Sequence, residues 1–243
     1  MGLFRKILNR GKAITGPTCS AVVLAAGQSS RMGEDKILLP LADVPVLLRT
    51  LQVLERCPYI TETIVVTRED LIVPVGQLCR DAGLDKVRKV VVGGQTRQDS
   101  VLAGIRESDP QAELIAIHDG ARPLVTDKVV GEAILKAAQC GAAAPAVPVK
   151  DTIKRAVDGM VECTPNRSEL YAVQTPQVFE HGLILGALEK AAVDQVELTD
   201  DCSAVERLGM KVFLTEGSYE NIKLTTPSDL AVAQSILERR GEA

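Results

Sequence analysis

The chain has no tryptophan, and aromatic residues make up only 2% of its 243 positions. That excludes a platform for stacking single-stranded bases, because such surfaces are built from aromatic faces. Positive charge is not in excess either. Against 28 Lys+Arg stand 32 Asp+Glu, a formal net charge of −4. A general nucleic-acid binder needs a basic face to displace counterions, so no nucleic-acid partner is expected. No apolar run approaches the roughly 18 residues of a membrane span, so no stable membrane insertion is expected. Histidine occurs twice, and none of the six cysteines (Cys19, Cys57, Cys79, Cys140, Cys163 and Cys202) stands in a C-x-x-C pair. A structural zinc site and a disulfide scaffold are both disfavoured. The thiols read as reduced, which points to a cytoplasmic location.

What is present is 46% hydrophobic and 25% charged residues, the composition of a packed domain rather than a disordered chain. Positions 1–17 stand apart, with Arg5, Lys6, Arg10 and Lys12 set among Leu3, Phe4, Ile7 and Leu8, and with Gly16 and Pro17 following. They lack the longer apolar stretch and cleavage site of a signal peptide. Such a segment reads either as a short basic amphipathic helix that touches a membrane surface or partner, or as a frayed, solvated extension. The second is the expectation, with one domain over 18–243.

From residue 21 onward, strand and helix patterns alternate. The short apolar run at 21–26 predicts a strand buried on both faces, and those at 64–66, 90–92, 114–117 and 142–147 predict further strands. Helical spacing covers 46–54, 70–81, 100–106 and 129–138 between them. The rhythm predicts a doubly wound, mostly parallel α/β sheet with helices on both faces. It breaks between 149 and 179. There, 152–157, the dipeptide Asp158-Gly159 and 160–162 predict a β-hairpin, since Asp-Gly is a strong turn signal. The hairpin is either an arm that pairs with a second subunit or a flap on its own domain. After Phe179 helices are expected to return, over 201–208 and 227–239.

Ligands of open parallel sheets bind beyond the carboxyl ends of the strands. The loop after the first strand, LAAGQSSRMG (24–33) followed by Asp35 and Lys36, lacks both the dinucleotide and the P-loop fingerprints. Yet Gly27 allows close backbone approach to a phosphate, and successive N–H groups can form an anion nest. Arg31 offers a planar fork and Lys36 a mobile point charge. By composition alone the loop is as consistent with solvated polar chain. Asp119, at the end of the fourth strand, suits Mg²⁺ or its waters, or a turn cap. His118 beside it reads as a hydrogen-bonded framework residue. Asp200 and Asp201 read as first-turn acids of a helix rather than as a metal pair.

Five segments carry a family resemblance: L-A-A-G-x-x-x-R-M-G with Lys36, GGQTRQDSV (93–101), HDGARP (118–123), QTPQ (174–177) and NIKLT (221–225). In this order and spacing, over about 21–237, they resemble the 2-C-methyl-D-erythritol 4-phosphate cytidylyltransferase family of polyol-phosphate cytidylyltransferases. The resemblance implies a Rossmann-like sheet of the nucleotidyltransferase type and cytidylyl transfer from CTP to that polyol phosphate with Mg²⁺. It further implies a homodimer in which the arm, about 149–173, exchanges between subunits. Ala26 and Gly27 would cradle the triphosphate, with Arg31, Lys36 and Lys223 as catalytic cations. Gly94, Gln95, Ser100, Ala121 and Arg122 would line the base and ribose, and Asp119 would orient the metal, through water or directly. Gln95 takes a position where many relatives carry an acid. Thr152, Arg167 and Thr199 would meet the polyol phosphate. A ribitol 5-phosphate enzyme and a non-catalytic nucleotide-binding module stand as alternatives.

Overall fold

In a computed structural model, which describes residues 16–27, 35 and 37–242, strand β1 (Cys19–Leu24) lies in the middle of the main sheet. A small ladder of β2 (Pro40–Leu41) and β3 (Val44–Pro45) leads into helix α1 (Val46–Arg56). Then come β4 (Ile60–Thr67), α2 (Ile72–Asp81), β5 (Val87–Val92), α3 (Arg97–Arg106), β6 (Leu114–Asp119), α4 (Asp127–Cys140) and β7 (Ala142–Pro148). The basic leader lies outside the described residues except for Gly16 and Pro17.

Strands β5, β4, β1 and β6 pair in parallel in that order. Side chains alternate between two apolar layers, as a period of two requires. Ala21, Val23, Leu114 and Ala116 face Leu47, Leu51, Leu54, Val130 and Ile134 on one side. Val22, Ile115 and Ile117 face Val101, Ile105, Ile184 and Leu188 on the other. Each Val, Leu or Ile so buried contributes about 1.5–3 kcal/mol, and strands covered on both faces explain why these runs are continuously apolar. Helix α3 sits unusually close to the sheet. A methyl group at Gly104 would stand 2.3 Å from Val22 Cγ1. That close seat presses the last turn of α3 onto β1 and β4.

The predicted hairpin is present as β8 (Arg155–Val157) and β9 (Met160–Cys163). Asp158 and Gly159 both take positive φ, +49° and +77°, as a type I′ turn demands. It is followed by β10 (Tyr171–Val173), β11 (Gln177–Glu180), α5 (His181–Val193), α6 (Asp201–Arg207), β12 (Phe213–Glu216) and α7 (Pro227–Arg240). Helices return after Phe179 as expected, and among them lies one strand that the pattern did not announce. Strand β12 pairs in parallel with β7. Nor is β7 the direct neighbour of β6, because β11 runs antiparallel between them. Strands β10 and β11 are one strand along β7, broken at Gln174–Pro176, where the Thr175–Pro176 peptide is cis. Four-residue and three-residue strands carry too little periodicity to be read from sequence.

Candidate nucleotide site

Beyond the carboxyl ends of β1, β4, β5 and β6 lies an open cleft of about 490 Å³. Ala26, Gly27, Gly94, Gln95, Ser100, Asp119, Ala121 and Lys223 line it, so the fold gathers eight of the expected site residues from positions up to 197 apart. Thr67, Arg68, Thr96 and Arg97 line it as well. Arg31 and Lys36 lie outside the described residues.

The wall of the cleft over 93–100 is built by helix capping. Thr96 is the N-cap of α3. Its hydroxyl accepts from Asp99 N–H at 3.0 Å, and Asp99 Oδ2 accepts from Thr96 N–H at 3.1 Å. This reciprocal box folds residues 93–96 back onto the first turn. Ser100 Oγ accepts from Gly94 N–H at 3.1 Å and donates to the Thr96 carbonyl at 3.0 Å, which leaves one lone pair. A methyl group at Gly94 would lie 2.1 Å from Asp99 Cβ. The Gly94→Ala variant must therefore move the loop and break the box, at about 1 kcal/mol for a lost cap. It is expected to weaken CTP binding at least tenfold while the thermal midpoint falls only a few degrees. Titration calorimetry alongside thermal melting separates the two effects.

Asp119 ends β6, nearly buried. Lys223 Nζ stands 3.1 Å from its Oδ2, and Arg122 Nε donates to the same oxygen at 3.2 Å. Burial alone pushes the carboxyl up. Lys223, Arg122, His118 and Arg97 outweigh that and hold it below the usual carboxylate range. Oδ1 accepts no hydrogen bond from the described residues. Arg122 also donates to the Asn221 carbonyl at 2.7 Å, so its guanidinium braces the site from behind rather than lining the cleft. His118 is fully buried on the far side. Thr175 Oγ1 accepts from Asp119 N–H at 3.1 Å and lies 2.9 Å from His118 Nδ1. Burial lowers the imidazole to about 4, so it is neutral at pH 7 and positions Thr175.

Lys223 reaches the cleft because its segment is pinned from both sides. Leu224 N–H donates to the Ala121 carbonyl at 2.9 Å. The buried Asn221 amide donates to Gln174 Oε1 and the Thr175 carbonyl, and the Gln174 amide donates to the Ser218 carbonyl at 2.7 Å. The QTPQ and NIKLT segments are thus one hydrogen-bonded unit. Gln177 Oε1 accepts from the N–H groups of Asp201 and Cys202. Asp200 is the N-cap of α6, in agreement with its reading as a helix acid.

Sequence reasoning missed Arg68 and Arg97. Arg97 forks onto Asp201 at 2.8 and 2.6 Å, a carboxylate only 1% exposed. The partner lies 104 residues away, and no local pattern announces it. Thr152, Arg167 and Thr199 are exposed and do not line this cleft. Arg167 donates to the Lys150 carbonyl at the base of the arm. Among the described residues no group of three or more His, Cys, Asp or Glu forms a ready-made metal cage.

An open α/β sheet with a glycine-lined cleft at its strand ends, one buried carboxylate and a facing lysine defines a protein of the nucleotidyltransferase type. The chain belongs to the 2-C-methyl-D-erythritol 4-phosphate cytidylyltransferase (IspD) family, whose model matches residues 19–239. It is 48% identical over 230 residues to that cytidylyltransferase from Desulforamulus reducens, covering 90% of this chain and 96% of the relative. It is 46% identical over 228 residues to the one from Caldanaerobacter subterraneus, covering 90% and 99%. The crystal structure of 4-diphosphocytidyl-2C-methyl-D-erythritol synthase from Anaerococcus prevotii superposes with a TM-score of 0.84 at 33% identity, over 93% of this chain and 98% of that one.

Proposed function

We infer that the protein transfers the cytidylyl group of CTP to 2-C-methyl-D-erythritol 4-phosphate, releasing pyrophosphate and forming 4-diphosphocytidyl-2-C-methyl-D-erythritol, a step of non-mevalonate isoprenoid biosynthesis. Family membership over nearly the whole chain, joined to a cleft that gathers the nucleotide motifs, carries this reading.

The reaction is an in-line displacement. A phosphate oxygen of the acceptor attacks the α-phosphorus, and the bond to the bridging oxygen of pyrophosphate breaks. A phosphate monoester has its second pKa near ~6, so the nucleophile is already ionised and no general base is required. The neutral, buried His118 is consistent with that. The difficulty is bringing one anion to another, and preorganised cations offset it. Lys223 supplies one at the cleft. Arg31 and Lys36 supply two more, from the segment that follows β1 in the sequence. Ala26 and Gly27 cradle the phosphates. The free lone pair of Ser100 Oγ suits the exocyclic amine of cytosine, beside the backbone of Gly94 and Gln95, and Ala121 adjoins the ribose.

The residues present fit a divalent cation. Asp119 stands at the end of β6, and its Oδ1 accepts no hydrogen bond from the described residues, which suits Mg²⁺, a hard cation with a preference for oxygen ligands. When bound, the cation supplies charge neutralisation across the phosphates. Asp119 would hold it, with Lys223 and Arg122 fixing the carboxylate.

Thr152 and Arg167 meet the acceptor in a second subunit's cleft. Their exposure outside their own cleft supports this reading. So does the apolar surface on the arm, where Met160 is 71% and Val161 60% exposed. Among the described residues no helix is long and apolar enough to cross a membrane. The enzyme works in the cytoplasm, where its free thiols persist.

The test is Mg²⁺-dependent pyrophosphate release from CTP, with methylerythritol phosphate and ribitol 5-phosphate in parallel. Release with the first alone is expected. Release with ribitol phosphate alone would overturn the acceptor, and binding of CTP without turnover would overturn the catalysis. Subunit exchange has its own test. Arg167→Ala and Lys36→Ala homodimers are each expected to be nearly inactive. A heterodimer of the two should recover activity at one cleft, and none in a verified heterodimer would refute the exchange.

A further inference from the structure

Arg68 follows the last residue of β4 and lines the cleft beside Ala25, Ala26 and Gly27. Its guanidinium is not free for a ligand. Nη1 and Nη2 donate to Asp35 Oδ1 and Oδ2 at 2.7 and 2.9 Å, the planar fork at which arginine is superior to lysine. Nε and Nη2 donate to Asp70 at 3.1 and 2.9 Å. Two carboxylates on one guanidinium give the cluster a formal charge of −1, which would repel a triphosphate rather than bind it. The arrangement therefore suits holding rather than ligand contact.

What it holds is informative. Asp35 directly precedes Lys36 in the chain. Beyond it, Leu38 N–H donates to the Asp35 carbonyl at 2.8 Å, and Ile37 is buried and lines the cleft. The neighbouring residue Thr67 performs the matching task where the chain leaves β1. Its hydroxyl donates to the Ala25 carbonyl at 3.2 Å, while Ala25 N–H donates to the Val66 carbonyl at 2.7 Å. Two consecutive residues at the end of one strand thus fix Ala25 and Asp35, on either side of the expected phosphate-binding stretch.

We propose that Arg68 is a positioning residue for the nucleotide, acting through Asp35 to set the chain at Lys36. The proposal rests on the reading of this cleft as the CTP site. It assigns Arg68 no contact with substrate. Its effect falls on nucleotide binding and leaves the acceptor alone.

CTP affinity is measured by titration calorimetry with Mg²⁺, and KM and kcat are measured for both substrates, on the full-length wild type, Arg68→Lys, Asp35→Asn and the double variant. Both single variants keep side chains of similar size at positions partly open to water, so the fold is expected to survive, and circular dichroism checks it. The expected result is a five- to tenfold weaker CTP affinity and higher CTP KM in each single variant. The double variant should be no worse than the weaker single, because both remove one interaction. The acceptor KM should stay within twofold, while kcat falls alongside the CTP affinity because Lys36 also serves as a catalytic cation. Losses on the CTP side with an unmoved acceptor KM are a split that general destabilisation would not produce. Either single variant within twofold of wild type for CTP overturns the proposal. So do multiplicative losses in the double variant, or a loss in Arg68→Lys that Asp35→Asn does not share, which would make Arg68 a direct ligand. Failure of the wild type to bind CTP would instead remove the underlying reading, and is seen before any variant is compared.

Discussion

The Lys223→Ala enzyme is expected to lose kcat by roughly 10²–10³, about 3–4 kcal/mol, the scale of removing one preorganised charge-stabilising donor from a transition state. The same substitution has a second effect, on Asp119. Burial drives that carboxyl toward protonation, and Lys223, 3.1 Å away, is foremost among the cations that reverse the balance. Without it the Asp119 pKa must rise. The acid limb of kcat against pH should therefore move toward neutrality in the variant, because the ionised carboxylate is the form that holds a divalent cation. The stability follows the same sign. A carboxyl with a depressed folded pKa stabilises the fold above its unfolded pKa, near ~3.9, and that contribution is lost as pH falls through the folded value. The wild-type advantage in thermal midpoint should be largest near pH 7 and shrink in acid. Activity within threefold of wild type at saturating substrates, with an unmoved acid limb, would refute the role given to Lys223.

The largest loss of stability is expected from Arg97→Ala. Asp201 is buried, and burial pushes its carboxyl up even in the presence of the guanidinium. Removing one member of a buried ion pair costs roughly 3–5 kcal/mol because the other charge stays desolvated. The lower end, about 3 kcal/mol, applies here, since the Arg97 side chain is 37% exposed and water can replace part of it. The sign with pH is opposite to that of Asp119. A carboxyl whose folded pKa is raised costs stability as pH rises through its range, so the variant should recover part of its deficit between pH 7 and pH 5. Asp201→Asn, which keeps the shape and removes the charge, should cost less than Arg97→Ala. Urea unfolding at the two pH values measures both. Equal costs for the two substitutions at both values would mean that the pair is governed by packing and not by charge.

The parallel half of the sheet was legible because strands covered on both faces must be apolar throughout, as 21–24 and 114–117 are. The hairpin was legible because Asp158 and Gly159 are the residues a type I′ turn accepts. Strands β10, β11 and β12 were not. Each is short, and the position of β11 between β6 and β7 is set by long-range pairing that no local period encodes. Within the cleft, Asp119 could be named from its place at the end of the fourth strand, whereas Gly94, Ser100 and Lys223 were named only through the resemblance of their segments to the family. Arg97 stood within such a segment, but its importance depends on Asp201, and that of Arg68 on Asp35. Both meanings arise only when the chain has folded. Arg122 could be named from its motif, yet its placement behind Asp119 depends on the Asn221 carbonyl, a contact across 99 residues.

The pinning of 221–224 against Gln174, Thr175 and Ala121 also has an order in time. A ribosome delivers the wall over 93–100 and Asp119 within the first half of the chain, and Lys223 almost at the end. Until that last segment emerges and docks, the nascent protein holds a buried carboxylate without its principal counter-charge. Translation that stops short of residue 223 therefore yields a chain without the ammonium that faces Asp119.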